Sequence, residues 1–96
     1  MQIEISGQHV ELTDAIKDYA NKKMDKLNTH LHTITAIHVM LKIEKHLQIA
    51  EAQVSFPGNH VHAEADADDM YKAIDLLVDK LVKQLTKHKE KLTDHR

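Results

Sequence analysis

Alternating apolar and polar residues predict three strands in the middle of the chain. The pattern covers residues 34–44, 47–56 and 60–66, and Pro57-Gly58-Asn59 is typical of a turn between the last two. Strand side chains point alternately to the two faces of a sheet, so one face should be buried and the other solvated. The residues expected on the buried face are Ile37, Val39, Leu41, Ile43, Ala50, Ala52, Val54, Phe56, Val61, Ala63 and Ala65.

Apolar residues at helical spacing predict two helices, one before and one after these strands. The first begins with Thr13 as its N-cap and extends to about Asn28. The second is capped by Asp68 or Asp69 and extends to about Leu92. Acidic residues at the start of the second helix and lysines at its end both complement the helix dipole.

The order of the elements predicts one α+β domain over residues 1–96. A short strand over residues 2–6 precedes the first helix, so the order is β-α-β-β-β-α. The first β-α-β unit should be a right-handed crossover between parallel strands, followed by an antiparallel meander. Both helices should cover the apolar face, which makes a two-layer sandwich with a four-stranded sheet.

The composition excludes several classes of protein. The chain is 42% hydrophobic and 29% charged and has no cysteine, so a disulfide scaffold, a thiol catalyst and a cysteine zinc site are excluded. No apolar run approaches the roughly 20 residues that span a bilayer, and the N-terminus does not resemble a signal peptide. Neither Ser6 nor Ser55 lies in a nucleophile elbow, and the two glycines form no phosphate loop. We expect a cytoplasmic protein that is neither an enzyme nor membrane-bound.

The charge is distributed unevenly. The net charge of −2 argues against a generic, wholly basic nucleic-acid binder, but residues 64–79 carry −5 and residues 80–96 carry +4. Twelve of the 13 basic residues are lysines, which suit phosphate oxygens better than base edges. Aromatic residues are only 3% of the chain, so no platform for stacking unpaired bases is expected. Any RNA recognition should therefore read backbone and shape.

Lysines at helical spacing form a stripe on the second helix. Lys80, Lys83, Lys87 and Lys91 fall within an arc of about 80°, whereas Lys89 falls about 180° from Lys80. Like charges at this spacing repel each other, which favours an external anion, although a merely solvated helix face is the alternative. On the first helix, Lys22, Lys23 and Lys26 form a basic flank, with the stem of Lys23 at the edge of the core. If the helices lie side by side, flank and stripe could form one basic surface.

Histidines on the polar sheet face offer a different interpretation. His60 and His62 share the outward face of one strand and His38 that of another, so they could form a small metal-binding module. The absence of a fixed third ligand favours ordinary exposed histidines instead. Lys42 falls on the same polar face, and Lys45 follows in the next loop.

Three segments resemble the family of short bacterial ribosome hibernation-promoting factors. They are DMYKAIDLLVDKLVKQLTKHKEKL near the end, MQIEISGQHVELTDAIKDYANKKMDKL at the start and VMLKIEK in the middle. The resemblance implies a fold similar to double-stranded-RNA-binding domains. It implies binding to the small ribosomal subunit in the channel for messenger RNA and the A- and P-site tRNAs, and inhibition of translation in stationary phase. It further implies pairing of ribosomes into inactive dimers, with ribosome modulation factor as functional partner.

The resemblance also implies the site and the form of the protein. It implies no cofactor, no DNA partner and a monomer when free. The related ribosome-associated inhibitor (YfiA) carries a C-terminal tail and long forms carry a dimerisation domain, so a chain of 96 residues matches the short form. The lysines that match rRNA-contacting positions are Lys22, Lys23, Lys26, Lys42, Lys45, Lys80, Lys83, Lys87, Lys89 and Lys91.

Overall fold

Seven elements make up the described part of the chain. The computed structural model describes the backbone of residues 1–93 and the side chains of residues 1–88. The strands are β1 (Gln2–Gln8), β2 (Ala36–Glu44), β3 (Leu47–Phe56) and β4 (Asn59–Ala67). The helices are α1 (Asp14–Asp25) and α2 (Met70–Thr93), and a 3-10 turn over Lys26–Thr29 follows α1.

The four strands form one sheet in the order β1-β2-β3-β4. β1 and β2 are parallel, and the other two pairs are antiparallel, as predicted. β1 is two residues longer than predicted because Gly7 and Gln8 still pair with β2. β2 begins two residues later than predicted, although Thr35 already donates its backbone N–H to the carbonyl oxygen of Ser55 over 2.8 Å. The predicted α+β sandwich is thereby confirmed.

Both predicted helix caps are present. The Thr13 hydroxyl accepts a hydrogen bond from the backbone N–H of Ile16 over 3.2 Å, and an Asp69 carboxylate oxygen accepts one from the backbone N–H of Tyr71 over 3.3 Å. The first helix is shorter than predicted, because its last turn tightens into the 3-10 turn. There the Thr29 hydroxyl donates to the carbonyl oxygen of Lys26 over 2.7 Å and satisfies a group at the helix end.

Small residues let α2 approach the sheet closely. Ala52 of β3 and Ala63 of β4 are paired neighbours on the helix-covered face, and both are buried. Leu81 and Leu85 of α2 are fully buried in the same core. Of the residues predicted to face the core, Ile43 and Val61 are half-buried and the rest are buried.

Glycine is needed at two points that shape the sheet. Gly58 lies in the turn between β3 and β4 with φ of 83°, in the left-handed region that favours glycine. Gly7 lies where a Cβ atom would be only 2.8 Å from the Leu12 side chain. The chain leaving β1 can therefore fold closely back towards α1.

Candidate nucleic-acid interface

A polar contact joins the two helices side by side. The Tyr19 hydroxyl of α1 donates a 2.6 Å hydrogen bond to an Asp75 carboxylate oxygen of α2, and the Lys23 ammonium lies 3.5 Å from the same oxygen. The Tyr19 ring also meets the Tyr71 ring edge-on, with centroids 4.9 Å apart. This contact supplies the arrangement on which a joint basic surface of the two helices depends.

The same contact changes the acidity of the tyrosine. The hydrogen bond to the Asp75 carboxylate raises the pKa of Tyr19 above its ordinary value, and partial desolvation and the negative charge of Asp75 act in the same direction. The Lys23 ammonium, 5.4 Å from the ring centroid, acts in the opposite direction on this pKa but is outweighed.

Four lysines of the helix layer extend into solvent. The exposed side chains are Lys22 of α1, Lys26 of the 3-10 turn, and Lys83 and Lys87 of α2. Among the side chains that the structure describes, none of the four has a carboxylate within ion-pair distance. We call Lys22, Lys26, Lys83 and Lys87 the helix-layer lysines. They are available to external anions because no described carboxylate neutralises them.

Two further predicted lysines on the helices have partners within the protein. Lys23 is only half-buried, as predicted, but its ammonium is directed to Asp75 instead of being free. Lys80 donates a 2.7 Å hydrogen bond to the backbone carbonyl oxygen of Glu64 on β4. Both retain their positive charge, so they still contribute to the local potential.

Lys42 and Lys45 lie away from the helix layer. Lys42 is on the sheet face opposite the helices, where it is the register neighbour of Ile49 on β3. Lys45 is exposed in the two-residue turn between β2 and β3, with φ of 57°. That turn is at the end of the sheet where α2 begins, and Lys83 lies about 20 Å further along α2. The structure therefore does not bring the predicted lysines onto one face.

The remaining two predicted lysines belong to the last turns of α2. The backbone of Lys89 and Lys91 is helical, but their side chains lie outside the described residues. The structure accordingly leaves their assignment as a prediction from the resemblance.

Acidic residues differ in their distance from the helix-layer lysines, and Asp25 lines the same surface depression as Lys22. Glu64 and Asp66 are exposed on the face of β4 opposite the helices. Asp69 caps the first turn of α2, about 27 Å along the helix axis from Lys87. Residues 80–88 of α2 contain three lysines and no acidic residue, so positive charge dominates that part of the helix.

Two of the three histidines of the polar face are paired with carboxylates, and the third, His60, is exposed opposite Ser55 in register. His62 contacts Glu51 over 2.9 Å and His38 contacts Glu4 over 3.2 Å, while Gln53 lies between the two histidines in register. Within residues 1–88, no three metal-ligating side chains come together. The alternative of a metal-binding module thus has no assembled ligand set in the described region.

The His88 ring packs against the Phe56 ring with centroids 4.4 Å apart, so His88 is a half-buried packing residue. Within residues 1–93, neither helix combines the length and the apolar character that crossing a bilayer requires.

Comparison with known proteins assigns the chain to a family. The model of the family described as Sigma 54 modulation protein / S30EA ribosomal protein matches residues 3–93. The chain belongs to this S30EA family. S30EA relatives include the ribosome hibernation promoting factor of Klebsiella oxytoca, 46% identical over 99% of this chain and 100% of that protein. The one from Pseudomonas putida is 50% identical over 95% of this chain and 89% of that protein. These matches confirm the resemblance found in the sequence.

Solved structures of S30EA relatives agree with the fold. A ribosomal subunit interface protein from Coxiella burnetii superposes with a TM-score of 0.88 at 38% identity, covering 93% of this chain and 98% of that one. The N-terminal domain of Thermus thermophilus Protein Y superposes with a TM-score of 0.83 at 36% identity, covering 92% and 99%. The sheet with two helices on one face is therefore the S30EA architecture.

Proposed function

We propose that this S30EA-family chain is a ribosome hibernation factor of the cytoplasm. It binds the small ribosomal subunit in the channel for messenger RNA and the A- and P-site tRNAs, and so inhibits translation in stationary phase. Together with ribosome modulation factor, it promotes pairing of ribosomes into inactive dimers. The relatives named ribosome hibernation promoting factor and the interface protein from Coxiella burnetii support this proposal.

The observation that carries the proposal is the availability of the helix-layer lysines. Four exposed ammonium groups without a described acidic partner can each neutralise an rRNA phosphate and release condensed counterions. Lysine contacts phosphates as a mobile point charge, so binding would depend on backbone and shape rather than base sequence. The factor would act by occupying the channel and not by catalysis.

The separate position of Lys42 and Lys45 fits a channel better than a flat RNA surface. A protein inside a channel contacts walls on more than one side, so lysines on both faces of the sandwich can reach RNA. Lys42 on the polar sheet face and Lys45 at the end of the sheet would contact a different wall from Lys83 and Lys87. In this proposal residues 1–96 act as one ribosome-binding domain.

Co-sedimentation with purified small subunits over a salt series tests the proposal. The double variant Lys83→Glu/Lys87→Glu should lose most binding, whereas Lys17→Glu/Lys72→Glu makes the same change in net charge at exposed lysines outside the predicted set. Added tRNA should displace the wild-type protein if both occupy the channel. Equal binding by the two double variants, or binding unaffected by tRNA, would contradict the proposal.

Ribosome pairing requires its own experiment, because binding and pairing are separable. Sucrose gradients of ribosomes mixed with the protein should show a dimer peak that depends on ribosome modulation factor. A protein that binds small subunits but leaves the dimer peak unchanged would keep the binding part of the proposal and remove the pairing part.

A further inference from the structure

One edge of the sheet is covered by side chains of α2, and the other edge is open. At the β4 edge, α2 supplies donors to outward-facing backbone groups: Lys80 donates to the carbonyl oxygen of Glu64 and Gln84 to that of His62, each over 2.7 Å. Side chains thus cover an edge that could otherwise pair with another strand.

At the β1 edge the backbone groups are open. The backbone N–H of Gln2 donates to the carbonyl oxygen of Thr35, so the even-numbered residues of β1 bond to β2. The N–H and C=O groups of Ile3, Ile5 and Gly7 therefore face outwards. In the described part of the chain, no side chain or backbone group bonds to them. β1 has seven residues and contains neither of two residues that often protect an edge strand, proline and lysine; Glu4 is its one charged residue.

We propose that a second copy of this chain pairs with this edge, antiparallel to β1, about a two-fold axis at Ile5. In that register Ile5 lies opposite Ile5, and Ile3 opposite Gly7, so the outward-facing groups form hydrogen-bonded pairs. All seven residues of Gln2–Gln8 then find a partner, because Ile5 is the middle residue of the strand. The two sheets become one continuous eight-stranded sheet with both helix layers on one side.

Charge favours this register over the one with its axis at Glu4. Glu4 lies opposite the uncharged Ser6, whereas an axis at Glu4 would place the two Glu4 side chains directly opposite each other, which is destabilising. The two-fold axis also makes the two α1 helices antiparallel. The first half of α1, where Asp14 and Asp18 outnumber Lys17, then runs alongside the second half of the other copy, where Lys22 and Lys23 outnumber Asp25.

The surface beside the edge has room for a partner. A shallow depression lined by Ile3, Asn21, Lys22 and Asp25 lies between β1 and α1. Lys22 is one of the helix-layer lysines, so self-association and RNA binding would compete there. In contrast to the expected monomer, the chain would be monomeric when dilute and dimeric when concentrated.

Amide hydrogen exchange of the full chain over a concentration series tests the open edge residue by residue. In dilute protein the amides of Glu4 and Ser6 should be protected and those of Ile3 and Ile5 should exchange rapidly. In concentrated protein Ile3, Ile5 and Gly7 should become protected while analytical ultracentrifugation shows a dimer. A chain that stays monomeric up to its solubility limit, or that dimerises with Ile3 and Ile5 still exchanging rapidly, would overturn the inference.

Substitution of Ser6 tests the register. Ser6→Lys places a positive charge opposite Glu4 of the other copy and should tighten the dimer by roughly 2- to 30-fold, since the pair occurs twice. Ser6→Glu should weaken the dimer by a similar factor. Gln53→Lys and Gln53→Glu, at an exposed position in the middle of the same sheet face, are the matched controls and should leave the dimer constant unchanged. Equal dimer constants for the two Ser6 variants would overturn the proposed register.

Discussion

The Tyr19 hydroxyl of α1 and the Asp75 carboxylate of α2 form a hydrogen bond of 2.6 Å across the seam between the helices. The two residues are 56 positions apart, and the bond identifies the flank of α1 that lies beside α2. It also provides the carboxylate that holds the Lys23 ammonium at the seam. The seam thus joins the two helices that carry Lys22, Lys83 and Lys87.

The free energy of unfolding should fall as the pH rises, and Tyr19 should account for part of this fall. The raised pKa means that the folded protein retains the phenol proton at a pH where the unfolded chain has lost it. The contribution of Tyr19 to stability is therefore fully present below the pKa of about 10 that tyrosine has in the unfolded chain. It is lost as the pH rises through the pKa of Tyr19 in the folded protein. Tyr19→Phe should flatten this alkaline loss in urea unfolding, and Tyr71→Phe should not. An unchanged profile in Tyr19→Phe would contradict the raised pKa.

Replacing Lys45 by glycine should stabilise the protein and weaken its binding to ribosomes. Its φ of 57° is unfavourable for any residue with a Cβ atom, so Lys45→Gly should raise the free energy of unfolding by about 1 kcal/mol. Lys45→Ala removes the same charge but keeps the strained backbone. Both variants should bind small subunits more weakly, and only the glycine variant should be more stable. Unchanged binding by both would remove Lys45 from the site.

The helix-layer lysines should account for a defined part of the salt dependence. Each phosphate contact contributes about 0.7–0.9 to the slope of log affinity against log salt, so Lys83→Ala/Lys87→Ala should reduce the slope by about 1.4–1.8. Thermal unfolding should be nearly unchanged, because both side chains are exposed. A loss of affinity with the wild-type slope would mean that these lysines contact something other than phosphates.

The close approach of α2 to the sheet should make the small inner residues intolerant of larger ones. Ala63 is 6% exposed under α2, so Ala63→Leu should lower the free energy of unfolding by about 1–3 kcal/mol through overpacking. The paired control is Gln53→Ala on the exposed face, which should change stability by less than about 0.5 kcal/mol. Urea titrations of the two variants provide the comparison. Equal unfolding midpoints would show that the space between α2 and the sheet can expand to hold a larger side chain.

The order, type and buried face of the elements follow from the amino-acid sequence by itself. The period-two pattern gave β3 its observed bounds, Leu47–Phe56, because alternation ends abruptly at Pro57 and begins directly after the turn. It also placed Lys42 on the polar sheet face. Thr13 and Asp69 were predictable as caps because a side-chain oxygen beside the first helical N–H groups is a local requirement. The charge contrast along α2 is likewise a local property.

The tertiary structure alone decided which partner within the protein each lysine contacts. Periodicity assigns a residue to a face, but only the packing of distant segments brought Lys23 to Asp75 and Lys80 to the carbonyl oxygen of Glu64. The open β1 edge and the covered β4 edge depend on strand order and on where α2 crosses the sheet. These contacts join residues from different elements, so their geometry follows from the packed core and cannot be deduced from local patterns.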